Sequence, residues 1–297
     1  MRFLLLRPRY TTNTLRRALL PTLVAILVGA ATANAHDFWI IPDIFVTGSD
    51  GMIHASGRAG TRFPAGSAVQ PARVAEAVLI GATTRSSITQ LAVEGNALRL
   101  HEKAPAPGQY VIALTLTSTP TRSTPASMLR FLKAEGGASE AARLEGRNAF
   151  DGQDSVVYRA TSYATAVVEV GRGGPRAYAV STGLPLQFIP VGDPAHLHVG
   201  DSLHVKIMGE GRAVPNIGIF AGPAADTVGS APAAANAATA NSSLSLTADG
   251  DGVVHLPLTT AGAWNLRSAF VYRGVGAAAN EWRIARTTYV FHVTASH

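Results

Sequence analysis

The sequence predicts an all-β protein made of two β-sandwich domains, immunoglobulin-like or transthyretin-like, with one short helix near residues 125–135. Three observations carry this. Short β-branched or alternating apolar runs recur along the chain, and Gly, Pro, Asp and Asn break them at sandwich spacing. Glycine and proline are abundant, at 29 and 17 of 297 residues, as a turn-rich chain requires. Cysteine is absent, so disulfide scaffolds, thiol catalysis, iron–sulfur clusters and cysteine zinc sites are excluded, and stability must come from apolar cores.

Residues 1–35 read as a signal peptide. Arg2, Arg7, Arg9, Arg16 and Arg17 form a basic start; the apolar run from Ala18 to Ala31 follows, then Ala33 and Ala35 at the positions a signal peptidase reads. That run is short of the roughly 20 residues needed to span a bilayer, and no later stretch is expected to cross a membrane once the signal is cleaved. Arg16-Arg17 also fits the twin-arginine pattern, so the export route is Sec or twin-arginine. With those five arginines set aside, the 25 basic and 19 acidic residues nearly balance, and a near-neutral body excludes a nucleic-acid partner.

The first domain is expected over 36–180. Strand character runs from Phe38 to His54 and from Val74 to Leu100, and Gly108–Leu116 is the clearest strand of this half. A Ser/Thr/Pro cluster ends at Thr124-Pro125, a cap followed by first-turn proline; Met128, Phe131 and Leu132 then form an apolar stripe that stops at Gly136-Gly137. Strand character returns over Val156–Val170 until the glycines at 171–174 break it. The second domain is expected over 181–297. Leu203, Val205 and Ile207 alternate with polar neighbours and should face its core. The Ala/Asn/Ser-rich stretch 221–243 reads as a disordered loop, and Val253–Leu258, Trp264–Tyr272 and Tyr289–Val293 supply further strands.

His36-Asp37-Phe38-Trp39-Ile40 directly after a signal peptide resembles the start of a bacterial periplasmic family of unknown function described as a nickel/cobalt-uptake (ABC-type cobalt transport) periplasmic component. Gly183–Pro190 with Asp193-Pro194 and Gly200–Leu203, and the segment Thr247–Trp264, are similar to the same family. Gln187 departs from an expected glutamate and Thr165 from a common lysine, so an ion pair there is not expected. The resemblance implies a soluble periplasmic protein of sandwich fold linked to transition-metal handling; a divalent transition metal (Ni, Co or Cu) is the expected cofactor and a membrane importer subunit the expected partner.

Cleavage after Ala35 would leave an α-amino group and an imidazole on His36, a ready bidentate chelate for Cu(II), Ni(II) or Zn(II). His54 and His101 lie in the same half and are the candidates to complete a set of three nitrogens. Asp37 is a candidate to orient a ligand, or a surface carboxylate. The runner-up cluster is His196, His198 and His204, if the Gly200-Asp201 turn brings the third back to the first two. His255 and His292 read as outward strand residues, and His297 has no role. Asp249-Gly250-Asp251-Gly252 reads as a hairpin turn, because the glutamate that closes a calcium loop is missing. No catalytic motif occurs; Glu102, Glu135 and Glu140 read as solvated surface, so no enzymatic activity is expected. Three functions follow: a periplasmic metal-binding accessory to nickel/cobalt uptake, a copper histidine-brace redox protein, or an envelope module contacting protein or glycan.

Overall fold

The computed structural model describes residues 37–48, 50–224 and 244–296; the segment 1–35 expected to be a signal peptide, His36, Ser49, most of the expected 221–243 loop and His297 lie outside them. The first part of the chain forms β1 (Asp37–Pro42), β2 (Val46–Thr47), β3 (Met52–Arg62), β4 (Ala65–Ala68), β5 (Val74–Ile80) and β6 (Arg85–Ser87). It continues through β7 (Leu91–Glu94), β8 (Ala97–Lys103), β9 (Gly108–Leu116), β10 (Thr121–Ser123), helices α1 (Pro125–Ala134) and α2 (Ala138–Gly146), and the long β11 (Val156–Val170). The second part forms β12 (Leu186–Pro190), β13 (Leu197–His198), β14 (Ser202–Gly209), β15 (Arg212–Ala213) and β16 (Gly218–Pro223). It ends with β17 (Leu244–Thr247), β18 (Val253–Pro257), β19 (Gly262–Arg273) and β20 (Trp282–Thr294).

The protein is mostly β, as expected, but its sheets are shared between the halves. A central sheet runs β17-β16-β19-β20-β11-β9-β5-β6, and its middle is the parallel pairing of β11 with β20, from Tyr158↔Trp282 to Ala166↔Val290. A second sheet, β1-β3-β8-β7 with β4 on β3, covers one face of it; a third, β12-β14-β15 with β18 on β14, covers the other. Strand alternation shows how one sheet serves two cores. Val78, Val111 and Val167 point into the core shared with Val205 and Leu256 of the third sheet. Their neighbours Leu79, Ile112 and Val168 point into the core shared with Trp39 and Leu98 of the second. The boundary expected at 180–181 falls between β11 and β12, and the described chain from Asp37 onward packs as one compact unit.

The expected core residues Leu203, Val205 and Ile207 are all buried. Thr124 caps α1 by accepting from Ser127 N at 3.2 Å. The single helix expected near 125–135 becomes two, because Gly136-Gly137 ends α1 and the chain turns directly into α2, whose Ala141 and Leu144 join Met128 and Leu132 over β19 and β20. The 221–243 loop also begins later than expected, since Ala221 pairs with Leu266 in the β16–β19 ladder. Asp249 Oδ1 accepts from Asp251 N and Val253 N, both at 2.9 Å, so 249–252 is a turn; it is not a hairpin, because β17 and β18 belong to different sheets.

Tyr289 is 1% exposed, burial drives its phenol far above the usual value, and its hydroxyl has no hydrogen-bond partner among the described residues. Replacing Tyr289 by Phe removes a desolvated hydroxyl and keeps the ring, so it should stabilise the protein by about 1 kcal/mol. Urea unfolding midpoints check this, and a lower midpoint in the variant would show that the hydroxyl is satisfied.

Candidate metal centre

His54 and His101 meet. They stand opposite one another in the β3–β8 register, on the outer face of the second sheet, with Ile53 and Leu100 turned inward. The His54 carbonyl accepts from Asp43 N at 2.9 Å, and His101 N donates to Gln90 O at 3.3 Å. Each backbone therefore bonds away from the other, which makes this a non-hydrogen-bonded antiparallel pair, the kind in which side chains come closest. Their Nδ1 atoms are 2.6 Å apart, with ring centroids at 4.8 Å.

Neutral imidazole carries one donor and one acceptor, so two facing Nδ1 atoms can share one proton. A metal with nitrogen ligands at about 2.0–2.1 Å needs two such atoms roughly 2.9–3.4 Å apart, a small opening for exposed rings. Carboxylates flank the pair. Glu94 Oε1 lies 3.8 Å from His101 Nε2, and Asp43 lies near enough for His54 to act on its charge. Asp43 is held below the usual carboxylate range first by its hydrogen bond to Arg99, against a desolvation cost and with His54 adding a smaller effect. Arg99 donates to Asp43 Oδ1 at 3.0 Å and also bonds Ser56 Oγ, so it ties β8 to the segment after β1 beside the histidines.

His36 lies outside the described residues. Its neighbour Asp37 pairs with Gly60, six positions along β3 from His54, or about 20 Å at strand rise. Strand β1 thus begins at the end of β3 remote from the histidine pair; of the three expected nitrogen donors, His54 and His101 meet among the described residues. Asp37 is not a surface carboxylate: it is bound to Arg267 NH1 at 2.6 Å, tying β1 to β19.

The runner-up cluster separates. His198 lies on β13, which pairs with β20, and its N–H donates to Asp201 Oδ2 at 2.8 Å. His204 lies on β14 in another sheet and faces His255 of β18, with ring centroids 4.2 Å apart. The His204 carbonyl accepts from Val191 N at 2.9 Å, so this too is a pair whose backbones bond away from each other. His196 instead lies 3.1 Å from Glu169 Oε2. Alternation placed each histidine on a face, but the sheet to which β13 and β14 belong is decided by long-range pairing. His292 packs on Phe45 at 5.3 Å, and burial lowers its pKa.

Two carboxylates expected on the surface are buried. Glu140 accepts from Arg143 Nε and Nη2 and from the Val271 N–H; Glu135 pairs with Arg286 at 3.0 Å. Gln187, standing where a glutamate was expected, is satisfied without a cation, its Oε1 accepting from Thr182 N at 2.8 Å and from Thr182 Oγ1 and Ser181 Oγ at 3.0 Å.

The chain belongs to the family described as "Domain of unknown function (DUF4198)", whose model matches residues 33–270. No curated protein matches the sequence. Among solved structures, trypsin-activated alpha-2-macroglobulin from Escherichia coli is similar at 12% identity and a TM-score of 0.22, over 86% of this chain and 15% of that one. Salmonella alpha-2-macroglobulin reacted with methylamine gives 10% identity and a TM-score of 0.22 over the same shares. Murine CEACAM1b gives 8% identity and a TM-score of 0.19, over 88% of this chain and all of that one. The chain thus spans about a seventh of the macroglobulins it resembles.

Proposed function

We propose that this member of the DUF4198 family is a periplasmic accessory protein that binds a divalent transition metal and serves nickel/cobalt uptake, on an immunoglobulin-like or transthyretin-like scaffold. The observation that carries the reading is the His54–His101 pair, with Nδ1 atoms 2.6 Å apart on an exposed sheet face. Imidazole suits Ni(II), Cu(II) and Zn(II), and affinity order alone would place copper first. Two histidines leave most coordination positions open to water, to Glu94 and Asp43, or to a receiving protein. Such a site suits loading and release better than the closed four-ligand arrangement of a structural zinc. An importer's membrane subunit is the partner to which a released ion would pass.

The test is calorimetric titration of Ni(II), Co(II) and Cu(II) into protein purified from the periplasm with its N-terminus verified. A His54→Ala/His101→Ala variant should lose one equivalent of binding, while a His204→Ala/His255→Ala variant keeps it. Binding unchanged in the first variant moves the site away from β3–β8, and no binding at all leaves the envelope module as the better reading.

A further inference from the structure

A second polar cluster lies where the central sheet meets the turn before β13. Glu169 and Gln109 are opposite one another in the β11–β9 register, on the sheet face that also carries Val167 and Val111. Both are buried, at 6% and 2% exposure. The turn Pro194–His196 passes over them, set by Asp193, whose Oδ1 accepts from Ala195 N at 3.0 Å. Asp193 Oδ1 also accepts from Gln109 Nε2 at 2.5 Å, and Arg176 pairs with Asp193 Oδ2. A carboxylate can only accept, so this contact fixes the Gln109 amide with Nε2 toward Asp193. Ligand atoms of Glu169, Asp193 and His196 all lie within 4.8 Å of one another.

Two buried atoms here, Glu169 Oε2 and Gln109 Oε1, receive no hydrogen bond from the described residues. His196 Nε2 is 3.1 Å from Glu169 Oε2, an ion pair when the imidazole is protonated, but no hydrogen bond joins the two. Buried acceptors are costly when left without a hydrogen bond, and ligand atoms of two carboxylates and an imidazole converging within 4.8 Å are what a shared third atom would explain.

We propose that Glu169, Asp193 and His196, with the Gln109 amide oxygen, form a second divalent-metal site of oxygen-rich character. Two carboxylates match the charge of one divalent ion. Carboxylate, amide oxygen and a single imidazole form a harder set than the surface histidine pair, and suit Mn(II) or Co(II). Arg176 now supplies positive charge to Asp193; its side chain is 48% exposed, so it can swing into solvent when an ion enters. The backbone behind it is constrained: Gly174 has φ +88°, and a Cβ there would collide with the Pro107 carbonyl. This site does not depend on the histidine pair.

The probe is Mn(II), followed by loss of the free-ion EPR signal, in a His54→Ala/His101→Ala background so that the surface pair cannot contribute. One equivalent should bind and raise the melting temperature. Binding should weaken at least about tenfold in Glu169→Gln and in His196→Asn, and tighten in Arg176→Gln. His196 is more than half exposed, so its variant remains informative if Glu169→Gln does not fold. No Mn(II) uptake in the background protein overturns the proposal and leaves an ordered water as the partner of the two oxygens. Uptake unchanged in both ligand variants overturns it equally.

Discussion

Trp39→Ala is expected to destabilise the protein by about 3–5 kcal/mol, the range for deleting a buried large aromatic side chain. Trp39 is 1% exposed, flanked by Phe38 and Ile40 that are equally buried, and its ring meets Phe63 edge-on at 5.6 Å. It lies on β1, an edge strand that packs on β11 and β20 of the central sheet, so the cavity would open between two layers that cannot close independently. The Trp39 indole nitrogen has no hydrogen-bond partner among the described residues, so Trp39→Phe should cost clearly less than Trp39→Ala. Chemical denaturation of both variants checks this; equal losses would show that the indole N–H matters more than the ring's volume. The Phe38-Trp39-Ile40 part of the motif that carries the family resemblance is thus explained by packing, whatever metal the protein binds.

Arg286→Ala should cost a similar amount, about 3–5 kcal/mol at neutral pH, because it strips a buried carboxylate of its counter-charge. Glu135 is 5% exposed and accepts from Arg286 NH1 at 3.0 Å, while Arg286 NH2 donates to Ser162 at 2.7 Å. Burial raises the Glu135 pKa and Asp37 adds to the rise; Arg286 first, then Arg267, oppose it, and the Tyr158 phenol lies close by. A carboxyl whose folded pKa is raised contributes stability that is present below its unfolded pKa and lost as pH rises through the folded value. Without Arg286 the rise is larger, so the penalty in Arg286→Ala should shrink on acidification as Glu135 takes up a proton. Stability curves of wild type and variant between about pH 4 and 8 should therefore converge toward the acid end. A penalty independent of pH would mean that packing against Phe131, whose ring centre lies 5.6 Å from the guanidinium, dominates. Replacing both partners by apolar residues should cost far less than removing Arg286 alone.

The residues most legible in sequence were those whose local pattern had no competitor. Gly108–Leu116 and Val156–Val170 were readable to the residue, because a glycine or a turn cluster bounds each strand-forming run. His54 and His101 were nominated by side-chain chemistry alone. Their meeting depends on the β3–β8 register, and a slip of one residue would put one ring in the core. Glu169 was missed, although it carried a signal: it is the lone acid in the otherwise apolar run from Ala166 to Val170, and a charge in a strand buried on both faces needs a partner.

By itself the sequence determined the strand-rich class, the positions of the main strands, the cap of α1 and the residue types able to hold a metal. These follow from period-two alternation, turn chemistry and side-chain donors, all local properties. Only the tertiary structure decided that β11 lies parallel to β20, more than a hundred residues away, and that one sheet therefore serves both cores. Long-range pairing likewise brought His196 to Glu169 and His204 to His255. Alternation tells which side of its own strand a residue faces; which strand lies beside it is settled by burial of the whole apolar surface at once, a quantity no short segment contains.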